Sequence, residues 1–171
     1  MTGDRHFYDS NGERRWGAHG AAGAVVYHAG RALDLSLRDE VPTSVLLVRR
    51  ADFLSTEPGK WSFPSGAHAT REDAGRPGVT AWRELAEETG ISPVDVRHKT
   101  SMTVELASDW SFEYALFEYL GVRGERLELE PELDGYVWGT VDYVWDKYHL
   151  GELHKDITEE VLTRLFALLP D

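Results

Sequence analysis

The chain has 171 residues and a mass of 19.3 kDa, about one domain by the usual prior of ~150 residues. Its 42% hydrophobic and 11% aromatic content fills a core and excludes a disordered or collagen-like chain. Thirty acidic against 18 basic residues leave a net charge of −12, which repels nucleic acid and anionic membranes at long range, although a bound divalent cation reverses such a field locally. Zero cysteines remove disulfides, zinc–thiolate sites, thiol nucleophiles and iron–sulfur clusters, leaving hard, oxygen-ligated cations as the metals to consider.

Residues 1–18 are polar and broken by Asn11 and Gly12, so a loosely held arm is expected there, with Trp16 pinning it to a single domain over 19–171. The start is not apolar, and no stretch reaches the roughly 18 consecutive apolar residues of a membrane span. The expected location is cytoplasmic.

Residues 22–27 and 44–49 are β-prone runs, and the continuous apolar centre of the second predicts a strand covered on both faces. Between them Leu33, Leu35 and Leu37 alternate with polar residues, the pattern of an edge strand or an ordered loop. Pro58 and Gly59 signal a turn before Trp61 and Phe63. The period changes to 3.6 over 79–89, with Val79, Trp82, Leu85, Ala86 and Thr89 as the apolar stripe and Gly90 as the C-terminal cap.

Strands are predicted at about 95–106, 112–120 and 136–141. A final helix is predicted after an Asp156 cap, with Val161, Leu162, Leu165, Phe166 and Leu169 apolar and Pro170 terminating. This order gives an α/β fold with a mixed sheet and helices on both faces.

On a helical wheel Glu84, Glu87 and Glu88 fall on one arc, opposite the apolar stripe. Glu84 and Glu88 are like charges at i, i+4, and no basic residue stands at 80 or 91 to compensate them. A solvated acidic face is the simplest reading of such an arc. Mg²⁺ or Mn²⁺ is the chemically specific one, because hard cations bridge carboxylates to phosphates.

The wider pattern is more informative. Gly66, Glu72 and then the run Arg83, Glu84, Leu85, Ala86, Glu87, Glu88, Thr89, Gly90, Ile91 resemble the Nudix box, G-x5-E-x7-R-E-U-x-E-E-x-G-U with U aliphatic. The second half matches at every defined position. Trp61 to Pro64 and the element order extend the resemblance over most of 20–169. Ten residues, 73–82, separate Glu72 from Arg83 where the pattern has seven, so residues 75–78 are expected to be an exposed insertion. Ser65 stands where a glycine often precedes the box glycine.

The resemblance implies a Nudix-type α/β/α sandwich around a central mixed β-sheet, and a pyrophosphohydrolase dependent on Mg²⁺ or Mn²⁺. Such an enzyme cleaves a diphosphate linkage in a nucleoside diphosphate joined to another moiety. The alternative it leaves is a non-catalytic Nudix domain that binds a nucleotide-like ligand as a sensor. Carried over by position, the metal set is Gly66, Glu84, Glu87 and Glu88. Arg83 orients a glutamate. A further carboxylate comes from Glu130 or Glu132, with Glu132 preferred.

Arg49, Arg50 and Lys60 flank the expected mouth, and the two arginines are the substrate-binding candidates. The expected partner is a small nucleoside diphosphate derivative, with homodimerisation open. No histidine is given a role. Trp110, Phe112, Tyr114, Trp138, Trp145 and Tyr148 are more simply core than nucleobase platforms.

Overall fold

The computed structural model describes residues 6–30, 42–122 and 124–170. Its strands are β1 (His6–Tyr8), β2 (Arg14–Trp16), β3 (Ala21–His28), β4 (Ser44–Arg50), β5 (Trp61–Ser62), β6 (Ser65–Ala67), β7 (Val96–Ala107), β8 (Trp110–Tyr119) and β9 (Leu133–Thr140). The helices are α1 (Arg71–Ala74), α2 (Val79–Thr89), α3 (Val141–His149) and α4 (Glu159–Phe166). The alternating leucines Leu33, Leu35 and Leu37 lie outside the described residues.

The main sheet runs β5-β4-β3-β8-β7, with β6 against β3 and β9 against β4. It is mixed, since β3 and β8 are parallel whereas β4, β6, β7 and β9 pair antiparallel with their neighbours. Strands β3 and β4 meet only at Tyr27–Val45 and His28–Ser44, and then diverge. Residues 61–67 fill the fork: β5 pairs with β4, β6 pairs with β3, and Ala24 N–H donates to the Pro64 carbonyl at 2.8 Å. The box loop is thereby held inside the sheet.

Alternation along the buried strands divides the core into two layers. Val25, Val45, Leu47, Tyr114 and Leu116 pack with Val144, Val161, Leu162 and Leu165 of α3 and α4. Ala22, Ala24, Leu46, Ala115 and Phe117 pack with Ala81 and Leu85 of α2 on the other face. This is the α/β/α sandwich. Burying a side chain such as Leu85 contributes about 1.5–3 kcal/mol.

The stripe of α2 differs from the sequence pattern: Thr80, Ala81, Leu85 and Thr89 are buried, while Trp82 is exposed. The facing strands offer alanines, so Ala81 is the residue that fits and the indole is turned outward. Gly90 caps the helix in the left-handed conformation, as expected (φ 70°).

Three further features depart from expectation. Residues 6–16 form a hairpin rather than a loose segment, and its pin is buried Arg15 rather than Trp16. Helix α4 is capped by Thr158, whose hydroxyl accepts from Val161 N–H, because Asp156 is taken by Arg15. Helix α3, absent from the sequence reading, starts at the Thr140 cap. It carries Trp145 and Tyr148, which meet each other edge to face and pack against the core.

Candidate active site

Helix α2 lies across the fork, and its carboxylates meet the residues that fill it. Glu84 sits beneath Gly66, where an added Cβ would stand 2.3 Å from the Glu84 carboxyl carbon; the backbone approaches the carboxylate closely only because glycine occupies that position. Arg83 Nη2 donates to Glu84 Oε1 and to the Ala67 carbonyl, each at 3.0 Å, tying helix to loop. Ser65 N–H donates to Glu88 Oε2 at 3.2 Å, so a main-chain donor serves where the family often has glycine. Glu87 is exposed on the same arc.

The loop before β9 completes the group. Glu128 N–H and Glu130 N–H donate to the Thr89 and Glu88 carbonyls, each at 3.1 Å, satisfying orphan carbonyls at the end of α2. Glu130 is thereby seated beside the box. Glu132 is exposed, and its carbonyl accepts from Ala51 N–H at 2.9 Å. Of the two candidates, the structure brings Glu130 into the group and leaves Glu132 at its edge.

Burial, and then Glu130 and Glu84, push the Glu88 carboxyl well above the usual range, against the opposing effects of Ser65 N–H and Arg50. Burial also raises Glu84, although Arg83 counteracts it. Burial raises Glu130 too, helped by Glu132, Glu84 and Glu87. Three carboxyls thus share one fork with too little positive charge. No three acidic or histidine side chains among the described residues converge in ligand geometry; the carboxylates surround the fork without closing on one point.

The arginines part company. Arg49 is engaged by Asp134 and by Asp52 (2.9 Å). Arg50 donates through Nε and Nη2 to the Thr56 carbonyl and hydroxyl, each at 3.0 Å, and acts electrostatically on Glu88. Lys60 donates to the Gly151 carbonyl. Of these three cations, Arg50 is the one seen to act on the fork's carboxylates among the described residues.

Glu72 is exposed on α1. Residues 75–77 of the insertion are exposed, whereas Gly78 is buried, with φ 80° and its N–H donating to Glu113 Oε1 at 2.5 Å. Helix α2 has no side-chain cap of its own, so this carboxylate from β8 serves its N-terminus. No local sequence signal marks that pairing, since 35 residues separate the partners. His68 is buried, its Nδ1 2.7 Å from Thr80 Oγ1.

The comparisons agree with this architecture. The NUDIX domain model matches residues 20–161. The chain belongs to the Nudix family. It is similar in structure to a Nudix hydrolase from M. smegmatis, RenU, with TM-score 0.76 and 23% identity over 99% of this chain and 98% of that one. A C. elegans Ap4A hydrolase gives TM-score 0.55 and 21% identity over 86% and 96% of the two chains. The NUDIX domain of Shewanella oneidensis NrtR, solved with ADP ribose, gives 0.52 and 17% over 95% and 94%.

No curated protein sequence matches the chain. No helix among the described residues is long and apolar enough to cross a membrane. Family membership and the complete second half of the box place the chain with the diphosphate hydrolases of the Nudix type.

Proposed function

We propose that this protein is a divalent-metal-dependent pyrophosphohydrolase that cleaves the diphosphate linkage of a nucleoside diphosphate joined to a second moiety. The observation that carries the reading is the fork itself. Half-buried, mutually repelling carboxyls of Glu84, Glu88 and Glu130 surround a glycine-lined approach at Gly66. An all-oxygen, acidic donor set of this kind suits Mg²⁺ or Mn²⁺. Glu84, Glu87, Glu88 and the Gly66 carbonyl would hold the ion. When bound, it supplies charge neutralisation on the diphosphate and a lowered pKa for water.

The remaining work belongs to side chains. Arg83 fixes Glu84 against the loop through its paired donation. Glu130, outside the metal-holding set and with its proton affinity raised, accepts the proton of the attacking water. The water oxygen forms the new bond to phosphorus, the bridging P–O bond breaks, and the leaving phosphate departs with the electron pair. Arg50 lies on the same side and offers Nη1, which has no protein partner among the described residues, to a phosphate oxygen.

The deciding experiment is a panel of nucleoside diphosphate derivatives, including nucleotide sugars, ADP-ribose and dinucleoside polyphosphates. Each is incubated with Mg²⁺ or Mn²⁺, with and without chelator, and the phosphorylated products are measured. Chelator-sensitive hydrolysis of one class is expected. Binding without turnover across the panel would favour a non-catalytic ligand-binding domain.

A further inference from the structure

Residues 152–154 run beside β5. Leu153 bridges to Trp61 in parallel, Trp61 N–H donates to the Glu152 carbonyl, and His154 N–H donates to the Trp61 carbonyl, both at 2.8 Å. Leu153 is buried in the layer of α3 and α4, so alternation directs His154 to the face that carries α2 and the box. Arg50 is on that face too and acts electrostatically on both Glu88 and His154. Glu57, which acts on His154, has the sole positive φ (49°) among the described non-glycine residues.

The ring is oriented by its backbone. Asp156 N–H donates to His154 Nδ1 at 3.2 Å, which leaves the proton of the neutral ring on Nε2. The Asp156 carboxylate is held by Arg15 at 3.2 and 3.3 Å, so this turn is anchored to the N-terminal hairpin. Burial lowers the His154 pKa, with Arg50 and Lys155 in the same direction and Asp156 and Glu57 against. Nε2 donates to no protein atom among the described residues.

We propose that His154 is a substrate-binding residue of the site, presenting Nε2–H to a non-bridging oxygen of the bound diphosphate beside Arg50. The proposal rests on the diphosphate reading above and adds to it a residue from outside the box, on the strand-like segment next to β5.

The test is calorimetric binding of α,β-methylene-ADP to the full chain with Mg²⁺, for wild type, His154→Ala and His154→Gln. One hydrogen bond to a charged oxygen predicts affinity about tenfold weaker for His154→Ala. The side-chain amide of His154→Gln should restore it to within about threefold. Melting temperatures should agree to about 2 °C, because the main-chain bonds between Trp61 and residues 152 and 154 are untouched and the partly exposed Asp156 N–H that His154→Ala releases can turn to water. Wild-type affinity in His154→Ala, or an equal loss in His154→Gln, overturns the assignment. If wild type binds the analogue but hydrolyses nothing on the panel, the hydrolase reading fails while His154 as a ligand residue stands. If wild type does not bind it, the His154 assignment falls, while the hydrolase reading stands or falls on the substrate panel.

Discussion

Two charged regions of this domain, one buried and one half-buried, are built on opposite principles. At the N-terminal hairpin, Arg15 Nε meets Asp9 Oδ2 at 2.8 Å, its Nη1 meets Asp156, and its guanidinium lies 4.9 Å from the centre of the Trp110 ring. Burial would raise the Asp9 carboxyl, but Arg15 and the N–H groups of Glu13 and Asn11 hold it below its usual range. In the fork, burial and mutual repulsion push Glu84, Glu88 and Glu130 upward. The hairpin satisfies its charges within the fold. The fork leaves them raised and mutually repelling, which supports the proposal that it is the functional region.

The largest effects should follow from removing the fork's charges. Glu87→Gln and Glu88→Gln are each expected to lower kcat at least about 100-fold in steady-state assays while leaving the circular dichroism spectrum unchanged. Glu130→Gln should cost about 100-fold in kcat, with Glu132→Gln within about threefold of wild type; equal rates for the two would remove Glu130 from its role. In the hairpin, Arg15→Met leaves the buried Asp9 without its cationic partner, and scanning calorimetry should show Tm lower by about 5–10 °C with kcat little changed. A large kcat loss there, at unchanged Tm, would erase the distinction between the regions.

The smallest effect concerns pH in the presence of chelator. Carboxyls raised in the folded state contribute stability below the unfolded value of 4.5 and lose it as pH rises through their folded values. Asp9 behaves oppositely: its contribution is present above 3.8 and is lost as pH falls through its lowered folded value. Tm should therefore decline on the alkaline side of a maximum. In Glu88→Gln the decline should be shallower, with Tm at neutral pH about 1 °C higher. An identical slope in wild type and variant would show that the fork carries no excess charge.

The box helix, its Gly90 cap, the doubly covered strand β4 and the acidic arc were all legible, because periodicity and local spacing encode them. What escaped the sequence depends on distant partners. Asp156 looks like a helix cap until Arg15, 141 residues away, claims it. Trp82 looks like a core residue until the facing strands prove too closely packed for an indole. Arg49 and Arg50 are indistinguishable as letters, yet Asp52 and Asp134 engage the first and Thr56 orients the second. Glu130 and Glu132 flank one proline, and the main-chain bond from Glu130 to the end of α2, which seats it beside the box while Glu132 stays exposed, separates them.

The central claim is that the fork is an uncompensated carboxylate site completed by a divalent cation, and a Mn²⁺ titration followed by electron paramagnetic resonance tests it most directly. Wild type should show saturable binding that Glu88→Gln weakens at least about tenfold and Arg15→Met leaves unchanged. Weak, non-saturating binding of equal strength in all three proteins would contradict the account.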